Sequence, residues 1–157
     1  MRVIALLMLR LLISDIKQEY GGLGFFIFVR SLLNPSIYAC LLVRLAANSK
    51  GIIHVIIRNI LVAKHSIDVG QSISIGRGLK LPHPFCIVIG AGVVIGDRVT
   101  LYQGVTLGFK KGYPKIENDV LIYPNCTIVG AVNIGGAAVI GANSFVDKDV
   151  KKNCVSK

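Results

Sequence analysis

The chain has no tryptophan, only five prolines in 157 residues, and eight acidic side chains against eighteen Lys and Arg. Its four cysteines, Cys40, Cys86, Cys126 and Cys154, are widely spaced and form no Cys-x-x-Cys pair. That usage fits a reducing, cytoplasmic setting and argues against a disulfide framework. Despite a net charge of +10 there is no run of Lys and Arg, no aromatic–basic interleaving and no recognisable nucleic-acid module. No nucleic-acid partner is therefore expected. Nowhere do 18 apolar residues stand in a row, so no transmembrane span is indicated. The opening MRVIALLMLRLLI looks briefly like a signal peptide, but Arg10 interrupts it and no small-residue cleavage site follows, so none is expected.

What is present is a ladder from Val69 to Val150. An aliphatic residue opens each hexad: Val69, Ile75, Leu81, Ile89, Ile95, Leu101, then, after a break, Ile116, Ile122, Ile128, Ile134, Ile140 and Val146. Four residues after each stands a second small or apolar residue, Cys126 among them as a core thiol. A period of six fits neither a helix nor a simple half-buried strand. It fits a solenoid in which each hexad is one side of a triangular coil. Gly70, Gly76, Gly90, Gly96, Gly135 and Gly141 follow first-slot residues, as suits crowded corners. Twelve hexads make four coils of a left-handed parallel β-helix, spanning residues 66–157.

Residues 1–65 read as an apolar, basic helical segment carrying a net +6 of the excess charge. Arg2 to Ile13 is one helix, Ser14 and Asp15 cap a second, and Gly21, Gly22 and Gly24 break the chain. Asn34 and Pro35 open another helix, and Ile52 to Ala63 forms the last. This segment is expected to cap the open first coil, because terminal repeats need a cover. Its single arginines, Arg10, Arg30, Arg44 and Arg58, fringe apolar faces, so peripheral contact with an anionic membrane is a compatible second reading.

A regular solenoid is scaffold, so its irregularities are where a site is expected. The register slips between Ile87 and Ile89, and a protruding loop, Gly-Phe-Lys-Lys-Gly-Tyr-Pro, interrupts the ladder between Leu107 and Lys115. Both lie near His83, the one histidine of the ladder. Prolines 82 and 84 hold it stiffly, and imidazole suits proton transfer near neutral pH. Asp68, fifteen residues earlier, is a candidate orienting partner. His54 and His65 read as structural. No metal is expected, because an interfacial zinc site needs several ladder histidines.

The ladder, Leu81-Pro82-His83-Pro84 and Tyr113-Pro114-Lys115-Ile116 together resemble the hexapeptide-repeat acyltransferases, and within them the serine O-acetyltransferase branch. The resemblance implies a homotrimer with acetyl-CoA in a groove between adjacent prisms. It implies His83 as general base backed by Asp68. Gly108, Pro124 and Ala142 match backbone contacts to the pantetheine arm, and the loop would bring Lys110 and Lys111 towards cofactor and acceptor.

Two departures concern the acceptor. Pro82 stands where the branch has an aspartate, and Tyr113 where it has a second histidine. Both positions serve recognition of the amino acid, and proline offers an ammonium no side-chain acceptor. The sequence also reaches Lys157 without the branch's Ala-Gly-x-Pro-Ala, and its helical segment is short. These features are similar to the short relatives associated with capsule, exopolysaccharide and lipopolysaccharide synthesis. The leading expectation is therefore an acetyl-CoA-dependent O-acetyltransferase acting on a glycan hydroxyl, cytoplasmic and peripheral at the inner membrane face. Serine acetylation and a non-catalytic trimeric scaffold are the alternatives.

Overall fold

The computed structural model describes residues 2–156, so Met1 and Lys157 lie outside the described residues. Four helices come first: α1 (Arg2–Tyr20), α2 (Phe25–Leu32), α3 (Pro35–Asn48) and α4 (Gly51–His65). α3 begins as its sequence dictates. Pro35 sits in the first turn, and the Asn34 side chain accepts a hydrogen bond from the Ser36 N–H at 2.8 Å.

α1 differs from expectation, running unbroken through Ser14 and Asp15. Asp15 is not a cap. Its buried carboxylate receives Arg44 Nε at 2.6 Å and Nη2 at 2.7 Å. Arg44 also donates to the carbonyls of Ile75 and Gly76 at 3.3 and 2.8 Å. Ser14 Oγ accepts from the Gly78 N–H at 3.0 Å. Arg44, only 1% exposed, is thus no part of a surface fringe. It fastens α1 and α3 to the open edge of the first coil.

The remainder is a left-handed parallel β-helix with three faces. The first face stacks β1 (Asp68–Val69), β3 (Val88–Ile89), β6 (Thr106–Gly108), β9 (Thr127–Val129) and β12 (Phe145–Val146). The second holds β2 (Ser74–Ile75), β4 (Val94–Ile95), β7 (Lys115–Ile116) and β10 (Asn133–Ile134). The third holds β5 (Thr100–Leu101), β8 (Leu121–Ile122), β11 (Val139–Ile140) and β13 (Val155–Ser156). Aliphatic rungs fill the prism: Val69, Ile95, Leu101, Ile116, Ile128 and Ile140 are all within 1% of full burial. Each such side chain contributes about 1.5–3 kcal/mol of transfer free energy.

Two details correct the hexad count. Leu107, fully buried, is itself a first-face rung between Ile89 and Ile128. The third coil therefore opens at Leu107, and the loop occupies a corner inside that coil. The ladder also continues past Val150, because β13 pairs with β11. Four complete turns result, followed by a fifth that is shorter.

Register shows where residues were added. Val88 pairs with Thr106, eighteen residues on, which is the regular spacing. Asp68 pairs with Val88 at twenty, because the corner containing His83 takes two extra residues. Thr106 pairs with Thr127 at twenty-one, because the loop takes three. Strand pairing absorbs neither insertion; both sit at corners.

Candidate active site

His83 sits at the corner between the third face and the first, in a segment pinned at several points. Leu81 is fully buried, and its carbonyl accepts from Ser36 Oγ of α3 at 2.5 Å. The His83 carbonyl accepts from the Phe85 N–H at 2.8 Å, and the His65 carbonyl from the Cys86 N–H at 3.2 Å. The Phe85 carbonyl accepts from the Gly104 N–H of the next coil at 3.1 Å. Pro84 is buried while the His83 imidazole is exposed. A stiff backbone thus presents one solvent-facing imidazole, the arrangement a general base needs.

Below His83, the same edge carries an aromatic stack. The His83 ring lies 6.1 Å from that of Tyr102, which stacks on Tyr123 at 5.5 Å and 14°. The sequence reading overlooked both tyrosines. The signal was present: each follows a third-face rung, Leu101 or Ile122, and those rungs are in register. The edge continues through Pro124, whose carbonyl accepts from the Asn143 N–H at 2.9 Å, to exposed Ala142. His83, Pro124 and Ala142 therefore line one edge of the prism.

The other anticipated residues lie on the opposite edge of the first face. Gly108 ends β6 there, and its carbonyl accepts from the Gly130 N–H at 3.3 Å. The loop carries Phe109, Lys110 and Lys111 to exposed positions at the corner and is held there by two contacts. Lys110 Nζ reaches Asp147 Oδ2 at 2.8 Å, and Lys111, with φ of 59°, turns the chain. The Tyr113 ring lies over Gly90 and Gly92, where a Cβ would stand 2.7 and 3.0 Å from ring carbons. Those two glycines form the flat floor that admits the ring.

Asp68 lies on β1, beside the end of the His83 segment: its N–H donates to the Ile87 carbonyl at 2.9 Å. Its carboxylate is engaged by Arg58 of α4, with Nε on Oδ1 at 2.5 Å and Nη2 on Oδ2 at 2.7 Å. Those hydrogen bonds hold its carboxyl below the ordinary carboxylate range, against the opposing effect of partial burial. Among the described residues no hydrogen bond joins Asp68 to His83. The pair Arg58–Asp68 borders a groove of about 440 Å³ that also includes His54, Gln71, Val88 and Ala91. His54 is buried, with Nδ1 3.0 Å from the Ala46 carbonyl.

His65 packs between Tyr38 and Phe85, with ring centroids 6.0 and 5.9 Å away. It is a structural wedge behind the His83 segment. Burial, and secondarily Lys64, push its pKa below the usual histidine value.

No family model matches the chain. The serine acetyltransferase of Helicobacter pylori (strain ATCC 700392 / 26695) is 38% identical over 128 residues, covering 76% of this chain and 75% of that protein. The chain belongs to the serine acetyltransferase family. It spans only 31% and 38% of the length of two longer relatives. The Neisseria gonorrhoeae serine acetyltransferase, solved in complex with serine, matches 96% of this chain and 66% of its own at a TM-score of 0.83 and 26% identity. A serine acetyltransferase solved in complex with CoA matches 94% of this chain and 66% of its own, with a TM-score of 0.83 and 25% identity.

Proposed function

We propose that this chain is an acetyl-CoA-dependent O-acetyltransferase whose general base is His83. The observation that carries the reading is the exposed, rigidly backed imidazole heading the edge that also bears Pro124 and Ala142. The acceptor hydroxyl gives its proton to His83 as its oxygen attacks the thioester carbonyl. The tetrahedral adduct collapses, the C–S bond breaks, and the CoA sulfur leaves and takes the proton. The products are an O-acetyl ester and free CoA thiol.

The site is completed by a second copy. In one chain His83 and Tyr113 lie on opposite edges of the first face, so each edge meets its complement across an interface. A closed trimer supplies three such junctions, each with His83 from one subunit and Tyr113, Lys110 and Lys111 from the next. Asp68 acts as a positioning residue when its carboxylate leaves Arg58 for the imidazole.

L-serine is the acceptor best supported, because the family relatives are named for it and a matching structure contains it. This displaces the glycan acceptor expected from the sequence. A sugar hydroxyl survives as a second reading on one observation: Pro82 offers no side-chain acceptor for an amino acid's ammonium group. Thiol release from acetyl-CoA, followed with L-serine and with a panel of monosaccharides, separates the two. Turnover with serine and none with sugars supports the first. His83→Ala should lower turnover about 10²–10⁴-fold while leaving acetyl-CoA binding intact. Unchanged turnover in that variant would refute the mechanism.

A further inference from the structure

α2 is inside out. A surface helix ordinarily turns its apolar stripe to the core and its polar residues to water. Here Ser31 is 1% exposed, with its hydroxyl donating to the Phe28 carbonyl at 2.7 Å. Phe25, Phe26 and Leu33 are 77%, 85% and 84% exposed, and Leu23 and Val29 about half. Positions 25, 26, 29 and 33 fall on one helical face, so these side chains form a continuous outward ridge. Leaving such a ridge in water is costly, and contiguous exposed apolar surface marks a contact site.

The charge around the ridge is of one sign. The helical segment has two acids, and neither is free: Asp15 is buried against Arg44, and Glu19 lies 3.5 Å from Lys80. Lys17, Arg30 and Lys64 are exposed and, among the described residues, have no acidic partner. Arg30 instead lies over the Tyr20 ring at 5.9 Å, and Lys64 over Tyr38 at 5.1 Å. Amphipathic tyrosines and cations rimming an apolar ridge are the residue set of a bilayer interface.

Packing argues against spanning. No single described helix is long and apolar enough to cross a membrane, and α2 meets α3 at a bend of 72°. α3 cannot leave the protein, because Ala39 and Val43 are fully buried. α1 and α4 also expose apolar side chains, but among the described helices α2 and its flanks carry the most exposed ones, Phe26 and Leu33 at 85% and 84% against 71% for Ile52 of α4.

We propose that α2 lies in the plane of an anionic lipid bilayer, with Phe25, Phe26 and Leu33 among the acyl chains and Lys17, Arg30 and Lys64 at the headgroups. The contact is independent of the acetyl-transfer reading and needs no ligand in the groove.

Sedimentation of the full chain with vesicles tests this. Wild-type protein should bind phosphatidylcholine vesicles containing a quarter phosphatidylglycerol, and bind pure phosphatidylcholine far less. Replacing one exposed Phe by Asp should weaken binding roughly tenfold, so Phe25→Asp/Phe26→Asp should lose about 100-fold. Arg30→Gln should lose roughly fivefold, and raised salt should weaken wild-type binding in step. Both changes lie on the exposed face, so circular dichroism and oligomer size should be unchanged. Absence of wild-type binding to anionic vesicles would overturn the proposal, as would equal binding by the double variant. So would a larger assembly in solution that the double variant dissolves, because a second copy would then cover the ridge.

Discussion

Replacing Arg44 by Met should cost this protein about 3–5 kcal/mol, a large part of the 5–15 kcal/mol that holds an ordinary domain together. The magnitude follows from what the change strands. Asp15 is fully buried and loses both charged donors, at 2.6 and 2.7 Å. The carbonyls of Ile75 and Gly76 lose theirs as well. Burial already pushes the Asp15 carboxyl above its ordinary value beside Arg44, and without Arg44 it rises further. A raised carboxyl costs stability as pH climbs above the unfolded value of 3.8, so the loss should be larger at neutral pH than in acid. Removing both partners, Asp15→Leu with Arg44→Met, should be near neutral, since no lone charge remains. Urea unfolding of the two single variants and the double, at two pH values, gives the cycle. A single-variant cost below about 1 kcal/mol, or a double as unstable as the single, would refute the claim that this pair is buried and mutually dependent.

Three further outcomes are expected. Because burial lowers the His65 pKa in the folded state, stability should fall as pH drops below the unfolded value of 6.5, and His65→Phe should flatten that slope in chemical denaturation. Gly92→Ala should cost about 1–2 kcal/mol, since its φ of +84° disfavours a side chain and the new methyl meets Tyr113; thermal unfolding measures it. Arg58→Gln should return Asp68 to the ordinary carboxylate range and leave thiol-release turnover undiminished, whereas Asp68→Asn should lower it; steady-state assays of both variants check the positioning role.

The architecture was legible because it rests on local periodicity. Most inward residues of the hexads are where the pattern puts them. The paired slot expected at Phe85 is instead filled by buried Ile87 while Phe85 is 49% exposed, and Ile75 is only partly buried. The two corners that carry extra residues were visible as breaks in rhythm. Leu107 escaped the count only because it directly precedes the loop. The site was legible in its residues more than in its contacts. His83 stands out between two prolines, but nothing local says that Asp68 is engaged by Arg58, ten residues earlier on a helix. Likewise Asp15 and Arg44 looked like a cap and a surface charge, and only the approach of α1 to α3 makes them a buried pair. The Tyr102–Tyr123 stack needed the coil length across the loop, twenty-one residues rather than eighteen, before two distant tyrosines became neighbours.

That stack also has an optical consequence. In a chain with five tyrosines and no tryptophan, emission excited near 280 nm comes from the phenol rings. Two of them lie nearly parallel, 5.5 Å apart, along the edge headed by His83. Their transition dipoles couple, giving a near-ultraviolet dichroism signature tied to that edge. A ligand that binds along that edge should alter this signature, a change that titration would read without any attached dye.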